Sequence, residues 1–224
     1  MSWELEKHRF FDFIIENNVI GFFDEPLTLK SGRKSYWYVN WRTVAEDVYL
    51  LDKVSDYLLS FVKHLNFKPN CFYGVPEGAT KLGVITQYKW AFSDKNIKPG
   101  KYVLSMGRGK PKDHGALKDK YFLGIPKGEV ILVEDTTTTG SSMLKAIDDL
   151  VDNKVNIIAA IGLTNRNEIR DDGNTVEEAI KKKNVQYYAM SNAIDLIPKF
   201  NPNPTVSNHI KSYFEKYGTR KINL

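Results

Sequence analysis

One short stretch of the chain combines the residue types that bind a phosphorylated sugar. Glu134 and Asp135 follow the apolar residues 130–133, and residues 136–142 then supply hydroxyl groups and a glycine ahead of a segment with helical spacing. This order predicts a strand, an acidic pair, a turn and a helix. Such a turn points backbone N–H groups at one phosphate, and the helix dipole favours the anion further. The two carboxylates can accept hydrogen bonds from a pair of vicinal hydroxyls, as on a ribose.

The same stretch has an ordinary structural interpretation, in which acids and threonines after a strand only cap the next helix. A run of four threonines, a glycine and two serines is more than a cap requires. The stretch is not a P-loop, because Lys145 comes too late and the glycine spacing is wrong. We therefore predict a phosphate and ribose site made by Glu134, Asp135, Thr136, Thr137, Thr138, Thr139, Gly140, Ser141 and Ser142.

Strands alternate with helices along most of the chain, and these elements must position the site. Apolar runs such as residues 155–163 predict buried strands, and residues 45–65 have the spacing of an amphipathic helix. The alternation predicts an α/β fold with a central parallel sheet and right-handed βαβ connections. The carboxyl ends of such strands meet at one edge, where open α/β sheets bind ligands. The predicted strands are 70–75, 102–106, 130–133, 155–163, 185–190 and two within 26–42, and the predicted helices are 3–19, 45–65, 78–92, 143–147, 175–183 and one from about 205.

Composition and charge favour a single domain that binds anions. The chain has 224 residues, of which 42% are hydrophobic, and this supplies a normal core. Its net charge of +5 is spread along the sequence, and the one tight basic run, residues 181–183, is typical of a solvated helix end. A mildly basic protein suits anionic substrates. We expect no nucleic-acid partner.

The cysteine content and the N-terminal sequence indicate the cellular compartment. Cys71 is the only cysteine, so no disulfide can form within the chain, and its apolar surroundings predict a buried side chain. The N-terminus lacks the basic and then apolar pattern of a signal peptide, and no apolar run approaches membrane-spanning length. We therefore predict a cytoplasmic protein with no membrane partner.

Several segments resemble a known enzyme family in the same order along the chain. Residues 130–142 resemble the motif that binds 5-phosphoribosyl-1-pyrophosphate (PRPP) in the type I phosphoribosyltransferases. Residues 29–40, a Lys-Ser-Gly-Arg turn followed by aromatics, are similar to orotate phosphoribosyltransferases in particular. The same family is resembled by three further segments, which are residues 73–83, the loop 108–115 with its Lys-Asp-His-Gly core, and residues 164–168.

The resemblance covers about residues 5–195 and implies a fold. That fold is the α/β type I phosphoribosyltransferase fold, a central parallel β-sheet flanked by helices with a small N-terminal hood. We expect residues 1–224 to form one such domain, in which residues 1–45 and part of the C-terminal region make the hood. Residues from about 200 to 224 are expected to be a helical tail with no assigned role. The chain is too short for a fused decarboxylase domain, so we expect the next step of the pathway on another polypeptide.

The resemblance also implies how the pyrophosphate end of PRPP is handled. Lys81 would neutralise phosphate charge. Arg108, Lys112 and His114 would bind the departing pyrophosphate from a loop that closes over the site. Asp113 would lie close to the reacting centre. Each of these is, by itself, more typical of a solvated surface residue.

A second group of residues would select the base. Lys30 offers a positive charge to an anionic base or to pyrophosphate, and Tyr38 can stack on a planar ring. Arg166 stands where the family has an arginine that pairs with the orotate carboxylate, which a guanidinium can bind in a bidentate manner. With Thr138, it would favour an anionic pyrimidine over neutral bases.

The implied reaction transfers the 5-phosphoribosyl group of PRPP to orotate, giving orotidine 5′-monophosphate and pyrophosphate, a step of pyrimidine (UMP) biosynthesis. Mg²⁺ would be held mainly through PRPP, with Glu134 and Asp135 as the protein carboxylates that can reach it. In this family the loop serves the neighbouring subunit's site, which implies a homodimer.

Departures from the family pattern keep alternatives open. Gly109 stands where a second basic residue is usual, residues 116–118 replace an acidic, Gly-rich loop end, and Asn165 replaces an Asp. One alternative is a phosphoribosyltransferase for a purine or for uracil, and Lys30, Arg166 and the loop argue against it. The other is a non-catalytic PRPP-sensing regulator, which would lose the loop and carry a DNA-binding module.

Overall fold

A computed structural model describes residues 3–110, 112 and 120–224. The predicted site residues Asp113 and His114, and the departures at 116–118, lie outside the described residues. In chain order the elements are α1 (Trp3–Glu16), β1 (Ile20–Thr28), β2 (Lys34–Val39), α2 (Arg42–Glu46), α3 (Val48–His64), β3 (Cys71–Gly74), α4 (Thr80–Phe92), β4 (Met106–Gly107), β5 (Phe122–Leu123), β6 (Glu129–Thr137), α5 (Ser141–Asp152), β7 (Asn156–Asn165), α6 (Val176–Lys181), β8 (Tyr187–Asn192), α7 (Ala193–Leu196), a 3-10 helix (Ile197–Phe200) and α8 (Pro204–Tyr217).

The central sheet has four parallel strands in the order β3-β6-β7-β8, with helices on both faces, which confirms the predicted architecture. Side chains of β6 alternate between two cores. Ile131 and Val133 pack with the N-terminal and C-terminal helices, and Val130 and Leu132 pack with α5 and α6. A strand buried on both faces reads as a continuous apolar run, which is why the sequence identified it.

Strand β6 continues four residues beyond the predicted apolar run, because β7 pairs with it through Thr137. Glu134 lies opposite Gly162, and Thr136 lies opposite Thr164. The acidic pair is therefore part of the strand and is held by the sheet.

A hairpin, β1 and β2, covers one end of the sheet together with α8. Trp37 of β2 stacks on Phe214 of α8 with ring centroids 5.7 Å apart, and Tyr36 stacks on His209 at 3.9 Å. Pro204 is the first residue of α8, and the Asn203 side chain accepts a hydrogen bond from the Val206 N–H. The C-terminal helix thus packs directly on the hairpin that carries the aromatic residues.

Some predicted elements were wrong in extent. The strand predicted at 102–106 is reduced to β4, because the carbonyl of Val103 accepts a hydrogen bond from the Gln87 side chain at 2.8 Å in place of a neighbouring strand. The helix predicted at 45–65 is two helices, since Asp47 is extended and its side chain caps α3. Helix α1 ends at Glu16, shortly before Asn18 adopts a left-handed conformation with φ of 49°.

Within the described part of the chain, no helix combines the length and the apolar character needed to cross a membrane.

Candidate active site

A cavity of about 610 Å³ opens at the carboxyl ends of β3 and β6. Residues from the hairpin, from the turn after β3, from the turn after β6 and from the end of β7 line it. The predicted site residues among them are Lys30, Tyr38, Glu134, Asp135, Thr136, Thr138, Thr139, Gly140, Ser141, Ser142 and Arg166.

The acidic pair forms the floor of the cavity. Glu134 is 6% exposed, and no hydrogen-bond partner is found for its Oε2 among the described residues. Burial, with the negative charge of Asp135 adding to it and Lys30 opposing it, raises the pKa of Glu134 to about 8. Burial also raises the pKa of Asp135, against hydrogen bonds from backbone N–H groups and the charge of Arg42. A buried carboxylate next to a half-buried one, without a full set of donors, suits a ligand that brings hydroxyls or a cation.

The turn after β6 forms the wall beside the acids. Gly140 precedes α5 with φ of 67°, a left-handed conformation that favours glycine. A β-carbon there would also come within 3.0 Å of the Val176 side chain. The hydroxyls of Thr139 and Ser141 lie 2.9 Å apart, and Arg170 donates to the carbonyl of Thr139. Ser141 and Ser142, the first residues of α5, line the cavity. Because the first N–H groups of a helix have no partner within it, this turn is suited to an anion.

Thr137, predicted at the phosphate site, does not line the cavity. It is fully buried between strands, and its hydroxyl is hydrogen-bonded to the Tyr187 hydroxyl and, at 3.4 Å, to the carbonyl of Thr164. Thr136 and Thr138, its neighbours in sequence, both line the cavity.

The predicted cations of the pyrophosphate end also lie off the cavity wall. Lys81 extends from α4 and donates from Nζ to the carbonyl of Ala45 at 3.1 Å. Arg108 follows β4, and its N–H donates to the Tyr121 carbonyl at 2.9 Å. Lys112 is exposed, and its N–H donates to the carbonyl of Lys120 at 3.0 Å. Arg108 and Lys112 therefore belong to the segment that leads from the β4–β5 pair, beside the cavity.

Gly109, one of the departures from the family pattern, does line the cavity. A β-carbon at this position would come within 2.5 Å of the Glu77 carboxylate. The missing side chain thus leaves room for Glu77, an acid that also lines the cavity and that the sequence had not singled out.

The same cavity carries the residues predicted to select the base. Lys30 and Tyr38 line it from the hairpin, and Arg166 lines it from the residue after β7. Arg166 is 1% exposed, and its Nη1 has no hydrogen-bond partner among the described residues. A buried guanidinium with a free nitrogen in a cavity is suited to an anionic ligand.

Sequence reasoning missed two further polar residues of the cavity wall, Asn40 and Arg42. Both follow β2, whose sequence pattern is dominated by aromatic residues. Arg42 is exposed, and its charge lowers the pKa of Asp135 against the larger effect of burial.

No group of three or more His, Cys, Asp or Glu side chains in the described ranges is placed to hold a metal ion by itself. Glu134 and Asp135 are adjacent, and Glu77 of the same cavity does not join them in such a group, so a hard cation here would need oxygens from a substrate. The donor set fits Mg²⁺ that is held chiefly by a polyphosphate.

No protein-family model matches the chain. An orotate phosphoribosyltransferase from Bradyrhizobium diazoefficiens is 30% identical over 178 residues, which span 75% of this chain and 87% of the relative. One from Methanosphaera stadtmanae is 29% identical over 181 residues, or 81% of this chain and 90% of the relative.

Solved structures of the same kind share the fold. The crystal structure of an orotate phosphoribosyltransferase from Francisella tularensis matches with a TM-score of 0.68 and 22% identity, over 94% of this chain and 99% of that one. An orotate phosphoribosyltransferase from Mycobacterium tuberculosis, solved in complex with PRPP, matches with a TM-score of 0.59 and 18% identity, over 85% of this chain and 98% of that one.

Proposed function

The chain belongs to the orotate phosphoribosyltransferase family, and we propose that its cavity transfers the 5-phosphoribosyl group of PRPP to orotate, giving orotidine 5′-monophosphate and pyrophosphate. One observation carries this proposal. The Glu134–Asp135 pair and the N-terminal turn of α5 line the same cavity as Arg166, whose Nη1 has no partner among the described residues. The cavity thus offers a ribose site, a phosphate site and a carboxylate site.

For PRPP, the turn made by residues 138–142 would hold the 5′-phosphate through N–H groups and hydroxyls. Glu134 and Asp135 would accept hydrogen bonds from the two ribose hydroxyls. Thr136 contributes a buried hydroxyl with no partner among the described residues. Thr137 is better assigned to the sheet, where its hydroxyl already has two partners.

For orotate, Arg166 would pair with the carboxylate, and Thr138 would face the ring from the phosphate side. Tyr38 would stack against the planar base, and Lys30 would add positive charge. This set favours an anionic pyrimidine over adenine, hypoxanthine or uracil, because a neutral base would offer no carboxylate to Nη1 of the buried arginine.

The chemistry needs no protein nucleophile. The bond from ribose C1 to pyrophosphate breaks, a bond from C1 to N1 of orotate forms, and C1 carries positive charge between the two events. The N1 proton of orotate leaves to the pyrophosphate or to water. The protein's contribution is then positioning of the two substrates and stabilisation of charge. Arg108 and Lys112, with Asp113 and His114, would reach the leaving group from the loop, and Lys81 would do so after release from Ala45. Mg²⁺ bound by PRPP, with Glu134 and Asp135 in reach, would neutralise charge on the departing pyrophosphate.

We also propose that the chain acts as a homodimer whose loop serves the partner's site, as the family pattern implies. Arg108 and Lys112 lie beside the cavity of their own subunit, off its wall, and this supports a role elsewhere. We propose the cytoplasm as the compartment, which suits a chain whose single cysteine, Cys71, is buried and unpaired.

A base screen tests the proposed function. Purified protein is incubated with PRPP, Mg²⁺ and one base at a time, with orotate followed by its ultraviolet absorbance and uracil, hypoxanthine and adenine followed by chromatography. We expect only orotate to be consumed, and EDTA to abolish its consumption. Consumption of another base in preference to orotate would overturn the proposal, as would binding of PRPP without turnover of any base.

A further inference from the structure

The guanidinium of Arg166 is fixed on three sides. Its Nε donates to Oε1 of Glu168 at 2.7 Å, and one terminal nitrogen, Nη2, donates to the Ser35 hydroxyl at 3.3 Å. Its Cζ lies 3.6 Å from the centroid of the Trp37 ring, so the planar group lies over the indole. These contacts leave Nη1 as the one nitrogen without a partner among the described residues.

Glu168 makes a second ion pair with its other oxygen. Nη1 of Arg33 donates to Oε2 of Glu168 at 2.8 Å, and Nη2 of Arg33 donates to the Ile169 carbonyl and to Asp171, both at 2.8 Å. Arg33, Arg166 and Glu168 are all buried, with exposures of 7%, 1% and 1%. One carboxylate therefore bridges two buried arginines that come from the hairpin and from the end of β7.

The charges of this cluster do not balance within the buried group. Arg33 and Arg166 carry two positive charges, and Glu168 carries one negative charge. Asp171 is 87% exposed, so water screens its interaction with Arg33. An unpaired buried charge is unfavourable, and a ligand carboxylate that meets Nη1 would balance it. The cluster is built to be completed by an anion.

We propose that Glu168 is a positioning residue for base selection, which aims the free nitrogen of Arg166 at the carboxylate of the base. This inference rests on the proposed function, in which Arg166 pairs with orotate. Glu168 occupies Nε, and the indole of Trp37 fixes the plane, so the guanidinium can turn neither its Nε edge nor its face to the ligand. Without the carboxylate, Arg166 keeps its charge and loses its orientation.

A purely structural role for Glu168 is the competing explanation, since the same carboxylate joins the hairpin to the segment after β7. The two roles differ in what they change. A structural role would change KM for both substrates and lower protein stability. A positioning role would change KM for orotate alone, through Arg166.

The test compares Glu168→Gln with wild type in the full chain. We expect KM for orotate to rise about tenfold or more, because the amide has no negative charge and only one acceptor oxygen, which cannot hold both arginines as the carboxylate does. KM for PRPP should change less than about twofold. Asp171→Asn is the matched control, because it removes an ion pair to Arg33 and has no contact with Arg166; its KM for orotate should stay at the wild-type value.

A double-mutant cycle separates positioning from structure. In an Arg166→Ala background there is no guanidinium to aim, so Glu168→Gln should add no further rise in KM for orotate. An equal rise in both backgrounds would overturn the proposal, as would an unchanged orotate KM in folded Glu168→Gln. If Glu168→Gln does not fold, Glu168→Asp is used instead, because it keeps the charge on a shorter side chain. A rise in KM for orotate alone then supports the proposal, and an unchanged KM for orotate overturns it. Failure of the proposed function would instead appear in the wild type, as no orotate consumption.

Discussion

The carboxylate of Asp135 lies against Gly78, with Oδ2 only 2.6 Å from the position that a β-carbon at residue 78 would occupy. The turn after β3 and the acidic pair of β6 therefore fit together without room for a side chain between them. Gly78 allows the backbone of this turn to approach the acid directly, and both residues line the cavity.

Gly78→Ala should weaken the use of PRPP. The added methyl group must displace the Asp135 carboxylate, so we expect KM for PRPP to rise about tenfold, with a smaller change for orotate. Steady-state kinetics with each substrate varied measure this. Gly21→Ala is the control, since a β-carbon there meets Phe23 at 3.5 Å, an ordinary contact. Equal PRPP kinetics in Gly78→Ala and wild type would contradict the proposed ribose site.

Thr137 and Thr138 are neighbours in sequence with opposite expected effects. Thr137→Val removes a hydroxyl that is hydrogen-bonded inside the sheet, so it should lower the free energy of unfolding by about 1–3 kcal/mol and leave PRPP kinetics near wild type. Thr138→Val, at the cavity wall, should raise KM for PRPP and leave stability nearly unchanged. Urea unfolding and steady-state kinetics are measured on both variants. A larger rise in KM for PRPP from Thr137→Val than from Thr138→Val would contradict this assignment and place Thr137 at the phosphate site.

These two threonines show where sequence reasoning ends. The run of apolar residues 130–133 predicted the strand, and the hydroxyl-rich turn predicted the phosphate site. The point at which the strand ends is set by pairing with β7, which local sequence does not contain, so the sequence could not show that Thr137 is buried in the sheet while Thr136 and Thr138 line the cavity.

Long-range side-chain pairs were equally out of reach. Arg33 and Glu168 are 135 positions apart, and the motif match identified Arg166 without the acid that holds it. The notable feature of Glu168 in sequence was only its place two residues after that arginine. The packing of α8 on the hairpin, which gives the C-terminal tail a place in the fold, also depends on tertiary contacts such as Trp37 with Phe214.

The raised pKa of Glu134 predicts a pH effect on stability. In the folded chain its pKa is about 8, against an ordinary value of 4.5, so between these values the unfolded chain binds fewer protons than the folded one. Stability from this group is therefore lost as pH rises from about 5 to 8, by on the order of 3 kcal/mol. Glu134→Gln should not show this loss. Urea unfolding at pH 5 and pH 8, in metal-free buffer with EDTA, gives the comparison; parallel pH dependence of the two proteins would contradict the raised pKa.

Arg166→Lys should impair orotate selectively. A lysine keeps the positive charge but cannot donate to Glu168, to Ser35 and to a ligand from one planar group. We expect KM for orotate to rise about tenfold or more, with KM for PRPP within about twofold of wild type. Arg220→Lys, at an exposed ion pair with Asp195, serves as the control and should behave as wild type. A similar rise in both Michaelis constants would indicate that Arg166 supports the whole cavity.

The most direct test of the proposed site is a crystal structure of the chain with orotidine 5′-monophosphate. The phosphate should lie at the N-terminus of α5 against residues 138–142, the ribose hydroxyls on Glu134 and Asp135, and the base carboxylate within hydrogen-bond distance of Nη1 of Arg166. A product bound with its phosphate away from α5, or with its carboxylate turned away from Arg166, would contradict the assignment of this cavity.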